Sequence, residues 1–168
     1  MTAGGWRVGQ GFDAHRFAAH PARNKPLRLA LLDWPGEPPL EGHSDGDAAI
    51  HALVDAIAAA AGLGDIGTLF GTDRKEFQGA DSRLFLTETV RLTRARGFAV
   101  ENASLQIVGE RPRVARRAGE AADGIGQVIG APVAVSATTT DHMGFTGRGE
   151  GIAALAVCLL RPTGNSAP

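Results

Sequence analysis

The 168-residue sequence predicts an α+β sandwich, a mixed β-sheet with helices packed on one face. Three observations carry this expectation. Segments with apolar residues at helical spacing are followed by segments in which apolar and polar residues alternate, as in a half-buried strand. Strand-like runs stand next to one another at both ends of the chain, with no helical pattern between them. The resulting order, roughly β-β-α-α-β-α-β-β, mixes hairpins with crossovers.

Residues 6–12 read as the first strand. Residues 18–42 are loop-rich, with Pro21, Pro26, Pro35, Pro38 and Pro39 around an apolar run at 27–32. That run reads as a second strand, returning as the hairpin partner of the first. The first helix begins after His43. Ser44 is its expected N-cap, and Asp45 and Asp47 place negative charge in the first turn. Ala49, Ile50, Leu53, Val54, Ile57, Ala58 and Ala61 recur at helical spacing until Gly62 and Gly64 end the run.

A second helix starts near Asp81 and Ser82 and carries Leu84, Phe85, Leu86, Val90 and Leu92 toward Gly97. A third covers 114–129, weakened by Gly119, Gly124 and Gly126. Ala103, Leu105 and Ile107 alternate with Ser104 and Gln106, and Val133, Val135 and Ala137 with Ala134 and Ser136. Residues 152–160 are almost continuously apolar, as for a central strand covered on both faces.

Composition narrows the function classes. The length fits a single domain, 1–168, and no repeat or composition shift marks a second. With 17 basic and 18 acidic residues the net charge is −1, which excludes whole-chain attraction to nucleic acid or a membrane surface. Any anion site must therefore be local. The single cysteine, Cys158, has no internal disulfide partner and reads as a buried strand residue. The N-terminus lacks the basic and apolar regions of a secretory signal, and the alanine-rich stretch 48–61 is too short to span a bilayer. A cytoplasmic protein is expected.

Asp13 and His15 stand two apart at the end of the first strand, so both side chains leave the same face. Gly9 and Gly11, on the strand side of this pair, allow other backbone to approach closely. His51 falls at the edge of the apolar face of the first helix, on one ridge with Asp47 and Asp55. One carboxylate and two imidazoles, with a fourth position open, are the donor set of a catalytic zinc site. Asp47 or Asp55 is then the expected acceptor for the imidazole nitrogen of His51 that faces away from the metal.

Other stretches point to phosphate. His43 precedes the expected N-cap, where unpaired amides and the helix dipole favour an anion. The segment Ala137-Thr138-Thr139-Thr140-Asp141 ends a strand with hydroxyls and a carboxylate, and Gly144-Phe-Thr-Gly-Arg-Gly-Glu-Gly151 follows it. Taken structurally, these are a β-branched strand end and a flexible loop. Taken chemically, they offer hydroxyls and amides to phosphate oxygens, with Asp141 able to hold a hard cation such as Mg²⁺. The glycine spacing matches neither a P-loop nor a dinucleotide fingerprint. Glu110-Arg111-Pro112-Arg113 adds two cations at a strand-to-helix turn.

Taken together and in order, several blocks resemble the 2-C-methyl-D-erythritol 2,4-cyclodiphosphate synthases. They are Gly11-Phe-Asp-Ala-His15, Gly42-His-Ser-Asp-Gly-Asp-Ala-Ala-Ile-His51, Gly64-Asp-Ile-Gly67, Gly79-Ala-Asp-Ser82, Ala137-Thr-Thr-Thr140 and Gly147-Arg-Gly-Glu-Gly151. The resemblance implies a homotrimer of subunits related to the ferredoxin-like fold, with active sites between neighbours. It makes Asp13, His15 and His51 the Zn²⁺ ligands, and gives Asp13 and His15 a place in the substrate site as well. His43 and Ser44 fall on positions that contact substrate beside the reacting phosphates, and Asp65, Ile66 and Gly67 on the erythritol pocket. Phe70 and Asp73 belong to its flexible substrate loop.

Thr139 falls on the position that steadies the transition state. Ala137, Thr138, Thr139 and Thr140, with Gly109, Pro112 and Arg113, fall on the cytidine and diphosphate site supplied by the neighbouring subunit. Asp141 stands where many members carry a glutamate for a second divalent ion, Mg²⁺ or Mn²⁺. Phe145, Arg148 and Glu150 match the lining of a central cavity where some members bind an isoprenoid diphosphate. The chain departs from the common pattern at Phe70-Gly-Thr-Asp-Arg74, at Asp141 and at Pro112-Arg113.

The implied reaction converts 4-diphosphocytidyl-2-C-methyl-D-erythritol 2-phosphate to the 2,4-cyclodiphosphate with release of CMP, in the non-mevalonate route to isoprenoid precursors. A metal-dependent phosphohydrolase and a non-enzymatic sensor of isoprenoid diphosphate are the alternatives. The absence of an evident nucleophile–base pair accords with a substrate phosphate acting as nucleophile.

Overall fold

The computed structural model describes residues 5–20, 25–42, 44–71 and 79–164. Along the chain run β1 (Arg7–Arg16), β2 (Leu27–Leu29), β3 (Leu32–Trp34), α1 (Ala48–Ala61), α2 (Ile66–Phe70) and α3 (Ser82–Ala95). They are followed by β4 (Phe98–Val108), a 3-10 turn at Val114–Arg116, α4 (Ala118–Ile129), β5 (Val133–Thr138), α5 (Gly144–Gly147) and β6 (Gly151–Pro162).

The main sheet has the order β1-β6-β4-β5. β6 runs antiparallel to both β1 and β4, and β4 and β5 are parallel. It follows that β1, β4 and β5 all point the same way, and their C-terminal ends share one end of the sheet. β1 and β4 with β6 between them form the split β-α-β unit of a ferredoxin-like sandwich. The second half departs from that fold, because β4, α4 and β5 make a contiguous parallel crossover.

Sequence-local pairing misplaced the second strand. Residues 27–29 pair with β3, from Leu27 with Trp34 to Leu29 with Leu32, and not with β1. β1 is instead laddered along its whole length to β6, from Arg7 opposite Leu160 to Arg16 opposite Gly151. A three-residue run offers far fewer ladder bonds than β6, which pairs with β1 at ten positions from the far end of the chain.

The start of the first helix is also displaced. Its N-cap is Asp47, not Ser44, and its first helical residue is Ala48. Gly46, at φ 78°, turns the chain sharply just before it, in a left-handed conformation that suits glycine. The helix ends at Gly62 in a left-handed cap, as the sequence predicts. The third predicted helix is broken at Arg117 into the 3-10 turn and α4.

α1 lies across β1, β6 and β4. Ile50, Leu53, Ile57, Leu86, Leu105, Ile107, Ile125, Ile152 and Leu160 are fully buried between helices and sheet. Burying each such side chain contributes about 1.5–3 kcal/mol. α1 can sit this close because β1 presents glycine to it. A Cβ on Gly9 would stand 1.9 Å from the Ala56 carbonyl oxygen, and one on Gly11 would stand 2.0 Å from that of Ala52.

The opposite face of the sheet is open. Val8, Phe12 and Val157 there are 70%, 58% and 45% exposed. The expectation that β6 is covered on both faces therefore holds within the subunit for one face only. Cys158 is on the covered face and buried, which pushes its thiol up to about 11. Among the described residues no helix is long and apolar enough to cross a membrane.

Candidate functional site

Asp13 and His15 occupy alternate positions of β1, and the face they share looks toward α1. His51 lies one turn into α1 and is 8% exposed. The glycine-mediated approach of α1 to β1 brings the three together. Asp13 Oδ2 is 2.9 Å from His15 Nε2 and 3.0 Å from His51 Nδ1, and the two imidazole nitrogens are 3.2 Å apart.

The donor chemistry fits a cation. His15 Nδ1 lies 2.5 Å from the Glu41 carbonyl oxygen. A carbonyl only accepts, so Nδ1 carries a hydrogen, and in the neutral, metal-ligating form of the ring Nε2 turns its lone pair toward Asp13. Burial alone would favour the neutral form of Asp13. The two imidazoles beside it, His15 and His51, outweigh that and hold this carboxyl well below the usual range. For His15, burial lowers the imidazole, but the Asp13 carboxylate wins and raises it above its ordinary value. Among the described residues, Asp13, His15 and His51 are the cluster whose ligand atoms converge on one point.

Neither Asp47 nor Asp55 accepts from the outer nitrogen of His51. Asp47 is fully buried and takes the amides of Ala30, Leu31 and Ile50. Asp55 accepts from the Ile66 amide at 2.8 Å. His51 Nε2 meets two hydroxyl oxygens instead, Ser44 Oγ at 3.0 Å and Ser82 Oγ at 3.1 Å. Helical spacing finds only partners on the same helix, and Ser82 opens α3. The one sequence signal for it is a serine directly after Asp81, which already caps that helix.

The displaced helix start changes the expected anion site too. The Asp47 carboxylate already fills the N-terminus of α1, so that end is not open to a phosphate. His43 lies outside the described residues, as does Asp73. Asp65 caps α2 by accepting from the Thr68 amide at 2.7 Å, and the bond from Ile66 to Asp55 ties Asp65, Ile66 and Gly67 to α1 one turn from His51. Phe70 is 6% exposed and packs on Phe85, whose ring lies 6.3 Å from that of His51. It backs the site as part of the core.

The other predicted residues gather at the ends of β4 and β5. The Gly109 amide donates to the Thr138 carbonyl at 3.1 Å, joining the two strand ends. Pro112 is buried and Arg113 exposed. Ala137, Thr138 and Thr139 are exposed, whereas the Thr140 hydroxyl donates to the Met143 carbonyl at 2.5 Å and belongs to the turn. Asp141 is exposed, with a left-handed backbone (φ 52°), and is not part of the Asp13 cluster. Phe145 is 40% exposed, and Arg148 is paired with Glu150 at 2.6 Å.

These two groups lie at the same end of the sheet but at opposite edges. β1 and β5 are three strand spacings apart, about 14 Å at about 4.8 Å each. The metal-type cluster and the threonine segment of one chain are therefore separated by the width of the sheet.

The sequence model of the YgbB family matches residues 6–161. The 2-C-methyl-D-erythritol 2,4-cyclodiphosphate synthase of Acidothermus cellulolyticus is 52% identical over 156 residues, which span 93% of this chain and 94% of the relative. A solved structure of a 2C-methyl-D-erythritol-2,4-cyclodiphosphate synthase in its CDP-bound form matches with a TM-score of 0.81 at 35% identity, covering 92% of this chain and all of that one. The bifunctional IspDF from Campylobacter jejuni matches with a TM-score of 0.87 at 34% identity, covering 94% of this chain, which spans 42% of that longer protein.

Proposed function

The chain belongs to the YgbB family, and from that premise we propose that it is a zinc-dependent 2-C-methyl-D-erythritol 2,4-cyclodiphosphate synthase of isoprenoid precursor synthesis. The observation that carries the metal reading is the triangle formed by Asp13, His15 and His51. Its edges of 2.9, 3.0 and 3.2 Å are close to the roughly 3.3 Å between ligand atoms around a four-coordinate zinc. Carboxylate and imidazole donors suit zinc, and three protein ligands leave one position for a phosphate oxygen.

The substrate is 4-diphosphocytidyl-2-C-methyl-D-erythritol 2-phosphate. An oxygen of its own 2-phosphate forms a bond to the β-phosphorus, the bond from that phosphorus to the bridging oxygen breaks, and CMP leaves with the bridging oxygen. The nucleophile is already an anion, so the chain needs to supply position and charge rather than a strong base. Bound zinc supplies a Lewis acid for a phosphate oxygen. Asp65, Ile66 and Gly67, backed by Phe70 in the core, hold the erythritol unit together with Asp73 of the substrate loop. His43 and Ser44 contact the reacting phosphates. Thr138 and Thr139, exposed at the end of β5, donate hydroxyls to the diphosphate. Gly109, Pro112 and Arg113 hold the nucleotide, and Asp141 holds the second ion, Mg²⁺ or Mn²⁺.

The enzyme works as a trimer in the cytoplasm, with each site built between two subunits. Separation of the two half-sites across the sheet favours this arrangement, as does the open apolar sheet face. Phe145, Arg148 and Glu150 then line a central cavity suited to an isoprenoid diphosphate.

Turnover of the cytidine substrate in ¹⁸O-water tests the reading. CMP and the cyclic product are expected, both unlabelled. Label in the CMP phosphate, or a linear diphosphate product, would identify a hydrolase. Tight isoprenoid diphosphate binding without CMP release would identify a sensor. Elemental analysis should find zinc in the wild-type protein and its loss in His51→Ala, with the fold retained.

A further inference from the structure

We infer that Ser82, clamped by Asp45, is the residue that sets the tautomer of His51 and so turns its Nδ1 lone pair toward the metal. The inference rests on the zinc reading above but concerns residues to which no role in that reading belongs.

Ser82 is fully buried at the first position of α3. Asp45 holds it twice. The Ser82 amide donates to Asp45 Oδ2 at 2.8 Å, and its hydroxyl donates to Asp45 Oδ1 in a short hydrogen bond. Asp45 is itself fixed, since its own amide donates to the Ala80 carbonyl at 3.2 Å. Arg28 approaches from the β2–β3 hairpin, with Nε 3.9 Å from Asp45 and Nη2 3.2 Å from Asp81.

A hydroxyl has one hydrogen, and that of Ser82 is committed to a carboxylate that can only accept. Toward His51 Nε2, 3.1 Å away, Ser82 therefore presents a lone pair. Nε2 must carry the hydrogen to make that contact, which leaves Nδ1 bare and facing Asp13 Oδ2 at 3.0 Å. His15 reaches the equivalent state through the Glu41 carbonyl. Both rings thus turn lone pairs to a carboxylate, and a cation between them reconciles the three. Ser44 Oγ is equally near, at 3.0 Å from Nε2, but among the described residues no carboxylate fixes the direction of its hydroxyl. Ser82 is a positioning residue that acts through His51.

The test compares S82A, D45N and S44A with the wild type by zinc dissociation into a chelator and by ¹⁵N-histidine NMR. Groups that orient metal-bound histidines typically carry 10–100-fold in metal affinity, and S82A is expected to weaken Zn²⁺ retention by about that factor. In the wild type, the His51 resonance should report the Nε2–H form. D45N should disturb it in its own way, because its amide can offer N–H to the Ser82 oxygen and release the hydroxyl proton to His51 Nε2. That favours the opposite tautomer, a change that a purely structural role for Asp45 does not produce, and it is read even if S82A fails to fold. S44A should keep both the tautomer and Zn²⁺ retention.

Zinc retention within twofold of wild type in S82A, with an unchanged His51 spectrum, overturns the inference while leaving the metal site standing. So does an effect seen in S44A in place of S82A. Wild-type protein that holds no zinc overturns the metal reading and this inference with it.

Discussion

Asp47 joins two parts of the chain that its sequence position keeps apart. Its Oδ1 accepts from the amides of Ala30 at 2.8 Å and Ile50 at 3.2 Å, and its Oδ2 from that of Leu31 at 2.8 Å. It therefore caps α1 and clasps the β2–β3 turn, where Ala30 and Leu31 adopt left-handed backbone at φ 55° and 62°. Non-glycine residues held there cost about 1–3 kcal/mol each, so the turn persists only while something holds it. Asp47→Ala leaves three buried amides unpaired, at about 1–3 kcal/mol apiece. We expect denaturant unfolding to show a loss of roughly 3–5 kcal/mol, and less for Asp47→Asn, which keeps one acceptor oxygen. A change below about 1 kcal/mol in Asp47→Ala would show that the clasp carries little. The sequence identifies Asp47 as a first-turn acid but not as the cap, because Ser44 has the same local credentials and the hairpin that selects Asp47 lies far upstream. Ser82 was hidden for the same reason, since its partner His51 is on another helix.

At the scale of elements, the site depends on how closely α1 can lie on β1. Gly9 and Gly11 face Ala56 and Ala52, and the same face of β1 continues to Asp13 and His15. This much was legible, because period-two alternation puts all four on one side wherever the strand pairs. The pairing itself was not legible, since β6 closes the sheet from the other end of the chain and nothing local to β1 names it. A Cβ at position 11 would stand 2.0 Å from the Ala52 carbonyl oxygen and 2.8 Å from the Ala56 amide nitrogen, both backbone atoms that cannot swing away. Gly11→Ala must therefore lift α1 and carry His51 with it. We expect a loss of about 1–3 kcal/mol or more, together with loss of zinc, measured on the same folded sample. Gly119→Ala serves as the contrast, because nothing lies within 4 Å of the added Cβ on α4. There helix propensity alone should raise stability by about 0.5–1 kcal/mol and leave zinc content unchanged.

The whole molecule poses the question of where one complete site comes from. In a single chain the Asp13, His15 and His51 cluster at the end of β1 and the threonine segment at the end of β5 stand at opposite edges of the sheet, about 14 Å apart. The apolar sheet face between those edges is open, with Val8 and Phe12 more than half exposed. In the proposed trimer, packing of identical subunits through that face would set the β1 edge of one beside the β5 edge of the next, and every site would come from two chains. Neither feature is visible in the sequence, where the β6 run looks like a strand covered on both sides. The consequence can be measured by mixing two inactive proteins. His51→Ala removes the metal half and keeps Thr139, while Thr139→Ala does the reverse. Coexpressed in equal amounts, they should form trimers by light scattering and regain activity that neither shows alone. An interface works when its metal half comes from Thr139→Ala and its threonine half from His51→Ala. Each condition holds half the time, so about one quarter of the wild-type rate per chain should return. Mixed trimers without any recovered turnover would place both halves of the site within one subunit.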